Sequence, residues 1–82
     1  MAVQTFRDLL TKTPFEAFEV LLSIGERFQV RHPEMAWLTR TTLYVGIDAD
    51  RGGIPGDAAM CSLLHITSVK PIRNGRHRRQ GR

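Results

Sequence analysis

Few side chains in this chain could do chemistry, and their spacing is poor for it. Cys61 is the only cysteine. Cys61 and His65 stand four apart, which would make them neighbours on a helix. On a strand the same spacing leaves them on one face but well separated. No acidic residue joins either at a metal-ligand spacing, so no metal site is expected. His32 precedes Pro33 and Glu34, which suits a residue orienting a turn or lining an interface. No nucleophile has a base at a usable distance in the pattern. The glycine-rich stretch Gly52-Gly53-Ile54-Pro55-Gly56 lies between strands, so no helix dipole backs it for a phosphate. An enzyme is therefore not expected, and no cofactor is implied.

Two other constellations point to binding. Asp48-x-Asp50-x-Gly52-Gly53 opens like a calcium-binding loop, but such a loop needs a further oxygen ligand before its glycine and a Glu at its twelfth position. Ala59 stands at that twelfth place, so a solvated hairpin loop is expected. Trp37, with Arg40 and Arg31 nearby in sequence, is the candidate for an exposed stacking platform of the kind single-strand nucleic-acid readers use.

The elements that must carry these residues are short. Thr5 followed by Asp8 reads as a capping box, and Phe6, Leu9 and Leu10 share one helical face, so a helix is expected over 5–13. Pro14 disfavours helical geometry at Thr13 and ends it. The period then changes to two. Phe18, Val20 and Leu22 alternate along a strand, Ser23-Ile24-Gly25-Glu26 turns, and Phe28 and Val30 return. Pro33 marks an edge, a bulge or a corner. Met35–Leu38, Thr42–Ile47, Met60–His65 and Thr67–Ile72 are the remaining expected strands, with a loop at 48–57 and a tight bend near His65-Ile66. Phe18, Val20, Leu22, Phe28, Leu43 and Val45 are the expected core, covered by Phe6 or Leu9. The fold class is thus mainly β with one N-terminal helix, a small, strongly bent antiparallel sheet or barrel.

Charge divides the chain in two. Positions 1–72 hold seven basic and eight acidic residues, a net charge of −1, while Arg73, Arg76, Arg78, Arg79 and Arg82 follow. The 1–72 segment is read as one domain, and 73–82, which has no hydrophobe, as a disordered basic tail. Arg76, Arg78 and Arg79 are its candidates for gripping RNA or another polyanion through phosphates. Without an apolar stretch of about 18 residues, no membrane partner is expected. A lone cysteine in an apolar strand and no N-terminal apolar run lead to a cytoplasmic protein with a structural thiol.

Pro-Phe-x-x-Phe at 14–18, Val-Arg-His-Pro-Glu at 30–34 and Leu-Leu-His-Ile at 63–66 resemble a group of short bacterial proteins to which no activity is attached. More distantly, the order of helix, Phe18 strand, Gly25 turn, bent second strand and the ending His65-Ile66-Thr67-Ser68 resembles the Sm-like fold, especially its bacterial Hfq branch. That resemblance implies a bent sheet or barrel whose last two strands pair between subunits into a ring. It also implies RNA contacts at Gln4 and His65. The sequence departs from the branch where RNA would bind. Leu64 replaces the lysine before the histidine, Val30 stands where a strand-bending glycine is usual, and the 48–57 loop is longer.

Physics adds its own reason for association. A chain of 82 residues buries a modest core, and the last two strands lack the charges that blunt an edge. Met60, Ser62, Leu64, Thr67 and Val69 are the candidate homo-oligomer interface. The expected function is a non-enzymatic, self-assembling binding or scaffold module of Sm-like type. The alternative is an RNA-binding protein that uses the barrel and the Arg-rich tail.

Overall fold

Val3–Thr11 form helix α1, and its placement is set by Phe6, which has no solvent exposure. The structure, a computed structural model, describes residues 1–72; the expected tail at 73–82, with Arg76, Arg78 and Arg79, lies outside them. The helix begins two residues earlier than the Thr5 pattern suggests. Ala2 is its N-cap and makes no side-chain capping bond, so the capping box does not form. Asp8 instead accepts a hydrogen bond from the Gln4 Nε2 amide at 2.8 Å. The Met1 ammonium, just before the helix, donates to the Leu63 carbonyl at 2.6 Å. The C-terminal end also comes early, with Lys12 already extended and the Thr13–Pro14 peptide cis.

Six strands follow: β1 (Phe18–Leu22), β2 (Arg27–Val30), β3 (Ala36–Leu38), β4 (Thr42–Ile47), β5 (Asp57–Ser62) and β6 (Ile66–Pro71). They form two three-stranded antiparallel sheets, ordered β2-β1-β6 and β3-β4-β5. The sheets do not close into a barrel. The β1–β2 hairpin turns on Gly25, whose φ of 94° few other residues tolerate. A 3-10 turn at Pro33–Met35 makes the corner between β2 and β3, so Pro33 sits at the bend where a missing N–H does no harm. The expected strand over 60–65 is divided: β5 starts at Asp57 and ends at Ser62, and Leu63–His65 form a second 3-10 turn.

Alternation assigns the faces. Phe18, Val20, Leu22 and Val30 from the first sheet meet Ala36, Leu43, Val45 and Cys61 from the second in one buried cluster, closed by Phe6 of α1. Phe18 anchors its helical end, with ring centroids 6.4 Å from Phe6 and 6.1 Å from Phe15. Phe28 is in the expected register, opposite Val20, but it is only half-buried and packs on the cluster's margin. Among the described residues β1 is the central strand of the first sheet, and Phe18, Val20 and Leu22 are covered by the shared cluster with the second sheet and Phe6.

Candidate functional site

The expected interface residues lie on two strands and the turn that joins them at one corner of the molecule. Strand β5, the 3-10 turn at Leu63–His65 and β6 run consecutively, and each strand is at the outer edge of its own sheet. Strand β5 pairs only with β4, and β6 only with β1, among the described residues. Two strand edges therefore present backbone donors and acceptors outward.

Within that corner the side chains divide by strand parity. Met60 is 69% exposed and Leu64 90% exposed, so both apolar side chains stand in solvent. Thr67 is exposed and Ser62 half-buried. The Thr67 hydroxyl donates to the Leu21 carbonyl at 3.1 Å, beside the bulge where β1 shifts register against β6. Val69 is different. It lies opposite Val20 and packs against the core, so it supports the strand from beneath rather than offering an outward contact. Leu63, next to the exposed Leu64, is buried. The 3-10 turn thus rotates one leucine inward and its neighbour outward.

His65 is exposed and lines a cleft of about 290 Å³ with Ile24, Glu26, Met60 and Ser62. The Ser23 N–H donates to the His65 carbonyl at 2.8 Å, which holds the β1–β2 turn against the 3-10 turn before β6. Gln4 does not line this cleft. It is exposed on α1, with its side-chain amide engaged by Asp8. The Met1 ammonium just before α1 ties to the Leu63 carbonyl in the same neighbourhood.

Cys61, beneath Met60, is fully buried. Burial, and secondarily the negative charge of Glu26, push its thiol above the ordinary value. A thiol held protonated is a poor nucleophile and a poor metal ligand. Among the described residues no group of three or more His, Cys, Asp or Glu is placed to hold a metal ion. The Asp48–Gly56 loop is organised by its own hydrogen bonds. Asp50 Oδ1 accepts from the N–H groups of Gly52 and Ile54, both at 2.9 Å, so this carboxylate shapes the turn.

One arrangement escaped the sequence reading. Trp37 lies opposite Tyr44, and Tyr44 opposite Met60, so the three form a row across the solvent face of β3-β4-β5. Trp37 is 51% exposed and Tyr44 half-buried. The signal was present as apolar residues at both parities of strands whose inward set was already complete, but the pairing register was needed to align them. Next to the row, Gly46 is buried under Pro55 and Met35; a Cβ there would come within 2.9 Å of Pro55 Cβ.

No family model, no curated protein and no solved structure matches this chain. No helix among the described residues is long and apolar enough to cross a membrane.

Proposed function

We propose that this chain is a non-enzymatic, self-assembling binding or scaffold module of Sm-like type that works in the cytoplasm. The observation that carries the reading is the pair of open edges, β5 and β6, at the outer sides of two different sheets. One edge of a copy can receive the other edge of the next copy by antiparallel strand addition. Because the two edges differ, the contact is head-to-tail, and it generates a ring if the rotation closes. Exposed Met60 and Leu64 supply apolar surface beside these edges that a partner would cover. The Sm-like part of the reading is supported by the succession of β2, the corner at Pro33–Met35 and β3, which acts as one long bent strand carrying the chain from one sheet into the other.

The test is the mass of the full chain in solution by sedimentation velocity. A homo-oligomer is expected, and Met60→Lys or Leu64→Lys should shift it toward monomer while far-UV circular dichroism stays unchanged. A strict monomer for the unmodified chain defeats the reading. Val69→Lys is unsuitable, since that side chain supports the core.

Trp37 and Tyr44 on one solvent face favour a second reading, RNA binding, because stacking platforms on sheets are how single strands are commonly held. Arg76, Arg78 and Arg79 would add phosphate contacts, with His65 and Gln4 as weaker candidates. This reading expects an added RNA strand to raise the sedimenting mass, with binding that falls steeply with salt. If RNA leaves the mass unchanged at low salt, the second reading is lost and the first is untouched.

A further inference from the structure

A second cleft differs from the β5–β6 corner in composition and construction. It has a volume of about 450 Å³ and runs between α1 and the end of β3. Val3, Arg7, Leu10 and Thr11 form one wall at spacings that share a helical face, and Leu38, Thr39 and Arg40 form the other. Val3 is 37% exposed, and Leu10 and Leu38 are half-buried, so its floor is aliphatic and incompletely covered. The volume is within the range of about 300–1,000 Å³ typical of small-ligand sites.

The polar groups of this cleft narrow what it could take. Thr11 Oγ1 already donates its proton to the Arg7 carbonyl at 2.8 Å, and Thr39 Oγ1 donates to the Thr42 carbonyl at 3.3 Å. Thr39 Oγ1 also accepts from the N–H groups of Thr41 and Thr42, so it is occupied in both senses. No Asp or Glu lines the cleft. Neither the Arg7 nor the Arg40 guanidinium has an ion-pair or hydrogen-bond partner among the described residues. The remaining side-chain donors are thus two positively charged forks, which match a carboxylate or phosphate head. No aromatic ring lines the floor, so a stacked base has no platform there.

We infer that the α1–β3 cleft binds a small amphiphilic anion, with an aliphatic body on Val3, Leu10 and Leu38 and a carboxylate or phosphate head between Arg7 and Arg40. This site is independent of self-assembly. Aliphatic surface with arginines beside it has a plain rival explanation, in which the arginine stems merely cover apolar groups and keep their heads in water. The rival and the inference differ in whether the ligand must carry charge.

Methyl NMR of the full chain separates them. Sodium octanoate and octyl phosphate, each kept below its micelle-forming concentration, are titrated beside octanol and inorganic phosphate. At least one amphiphilic anion should shift the Val3, Leu10 and Leu38 methyls saturably, and about tenfold more tightly than octanol or inorganic phosphate. The ratio of octanoate to octyl phosphate affinity assigns the head group. Arg7→Gln with Arg40→Gln should weaken that binding by at least about tenfold, and Arg7→Lys with Arg40→Lys by less if charge matters beyond the fork. Both arginines are exposed, so unchanged methyl shifts at Phe18-facing core positions would report an intact fold. Equal binding of octanol, unaltered affinity in the double Gln variant, or response of these methyls to an RNA strand but to neither amphiphile overturns the inference.

Discussion

The two sheets share one core yet present opposite outer faces. On the β2-β1-β6 sheet, Glu19 lies opposite Gln29 and Lys70, and Leu21 opposite Arg27 and Ser68. Arg27 Nη1 reaches Glu19 Oε1 at 3.4 Å, and Arg31 donates to Gln29 Oε1 at 3.0 Å, so charged and amide groups lace that face together. On the β3-β4-β5 sheet the corresponding rows are Trp37–Tyr44–Met60 and, beside it, Gly46 opposite Ala58. A face meant only for water is more naturally built like the first. The second keeps apolar surface exposed, with Trp37 at 51% and Met60 at 69%.

The comparison can be broken at several depths. The largest effect is expected inside, where the two sheets should be equivalent. Phe18→Ala in the first and Leu43→Ala in the second, both essentially unexposed, should each cost about 2–5 kcal/mol in chemical denaturation. Half-buried Phe28→Ala should cost visibly less than Phe18→Ala. A difference of more than about 3 kcal/mol between the Phe18 and Leu43 variants would mean the sheets do not share their core equally.

Gly46→Val comes next and probes only the second sheet. Its new side chain meets Pro55 and Met35, and a destabilisation of about 1–3 kcal/mol is expected from overpacking. Pro55→Ala should recover part of it. If Gly46→Val is neutral, the 48–56 loop does not press on the sheet as described.

A smaller effect follows from Cys61. Its folded-state value is raised by burial and by Glu26, so the neutral thiol is the form that the fold prefers. The corresponding stability is complete below the ordinary thiol value, about 8.5, and is lost as pH rises from there through the raised folded value. Denaturation midpoints should therefore fall in mildly alkaline solution, and Cys61→Ala should flatten that slope even though it lowers stability throughout.

Smallest of all should be Glu19→Gln on the laced face. A single ion pair with an exposed arginine contributes about 0–1 kcal/mol, so the loss should stay below about 1 kcal/mol and shrink with salt. Trp37→Ala on the opposite face should be similarly mild for folding. Any large consequence of Trp37→Ala should appear in association, and would mark the apolar row as a contact surface.

Much of the fold was legible in the residues because it depends on local rules. Period-two alternation placed β1, β2 and β4, Gly25 announced its turn, and Pro33 announced the corner. Phe6, Leu9 and Leu10 pointed correctly to the helical face that meets the core. The helix start was misread because the Thr5–Asp8 pair looks like a capping box, while the N-cap is Ala2, which has no side-chain acceptor to signal it. The end of β5 was misread for a similar reason. Apolar residues at 63 and 64 continue a strand pattern, and only the need to bring β6 back beside β1 turns that step into a 3-10 bend.

The candidate sites divide along the same line. Exposure of Met60 and the open edges of β5 and β6 could be anticipated, because weakly charged terminal strands in a small domain leave edges unpaired. That Val69 supports the core while Leu64 stands free could not, since the bulge at Leu21/Leu22 and the 3-10 turn reset the parity of everything after them. The Trp37–Tyr44–Met60 row and the Arg7–Arg40 cleft were invisible for a deeper reason. Residues in each are far apart in sequence, and their proximity is a property of strand register and of where α1 rests against β3. By itself the sequence determined the helix, the first hairpin, most of the inward set and the charge division. Only tertiary structure decided which outward residues become neighbours, because periodicity specifies a face but not what the next element sets beside it.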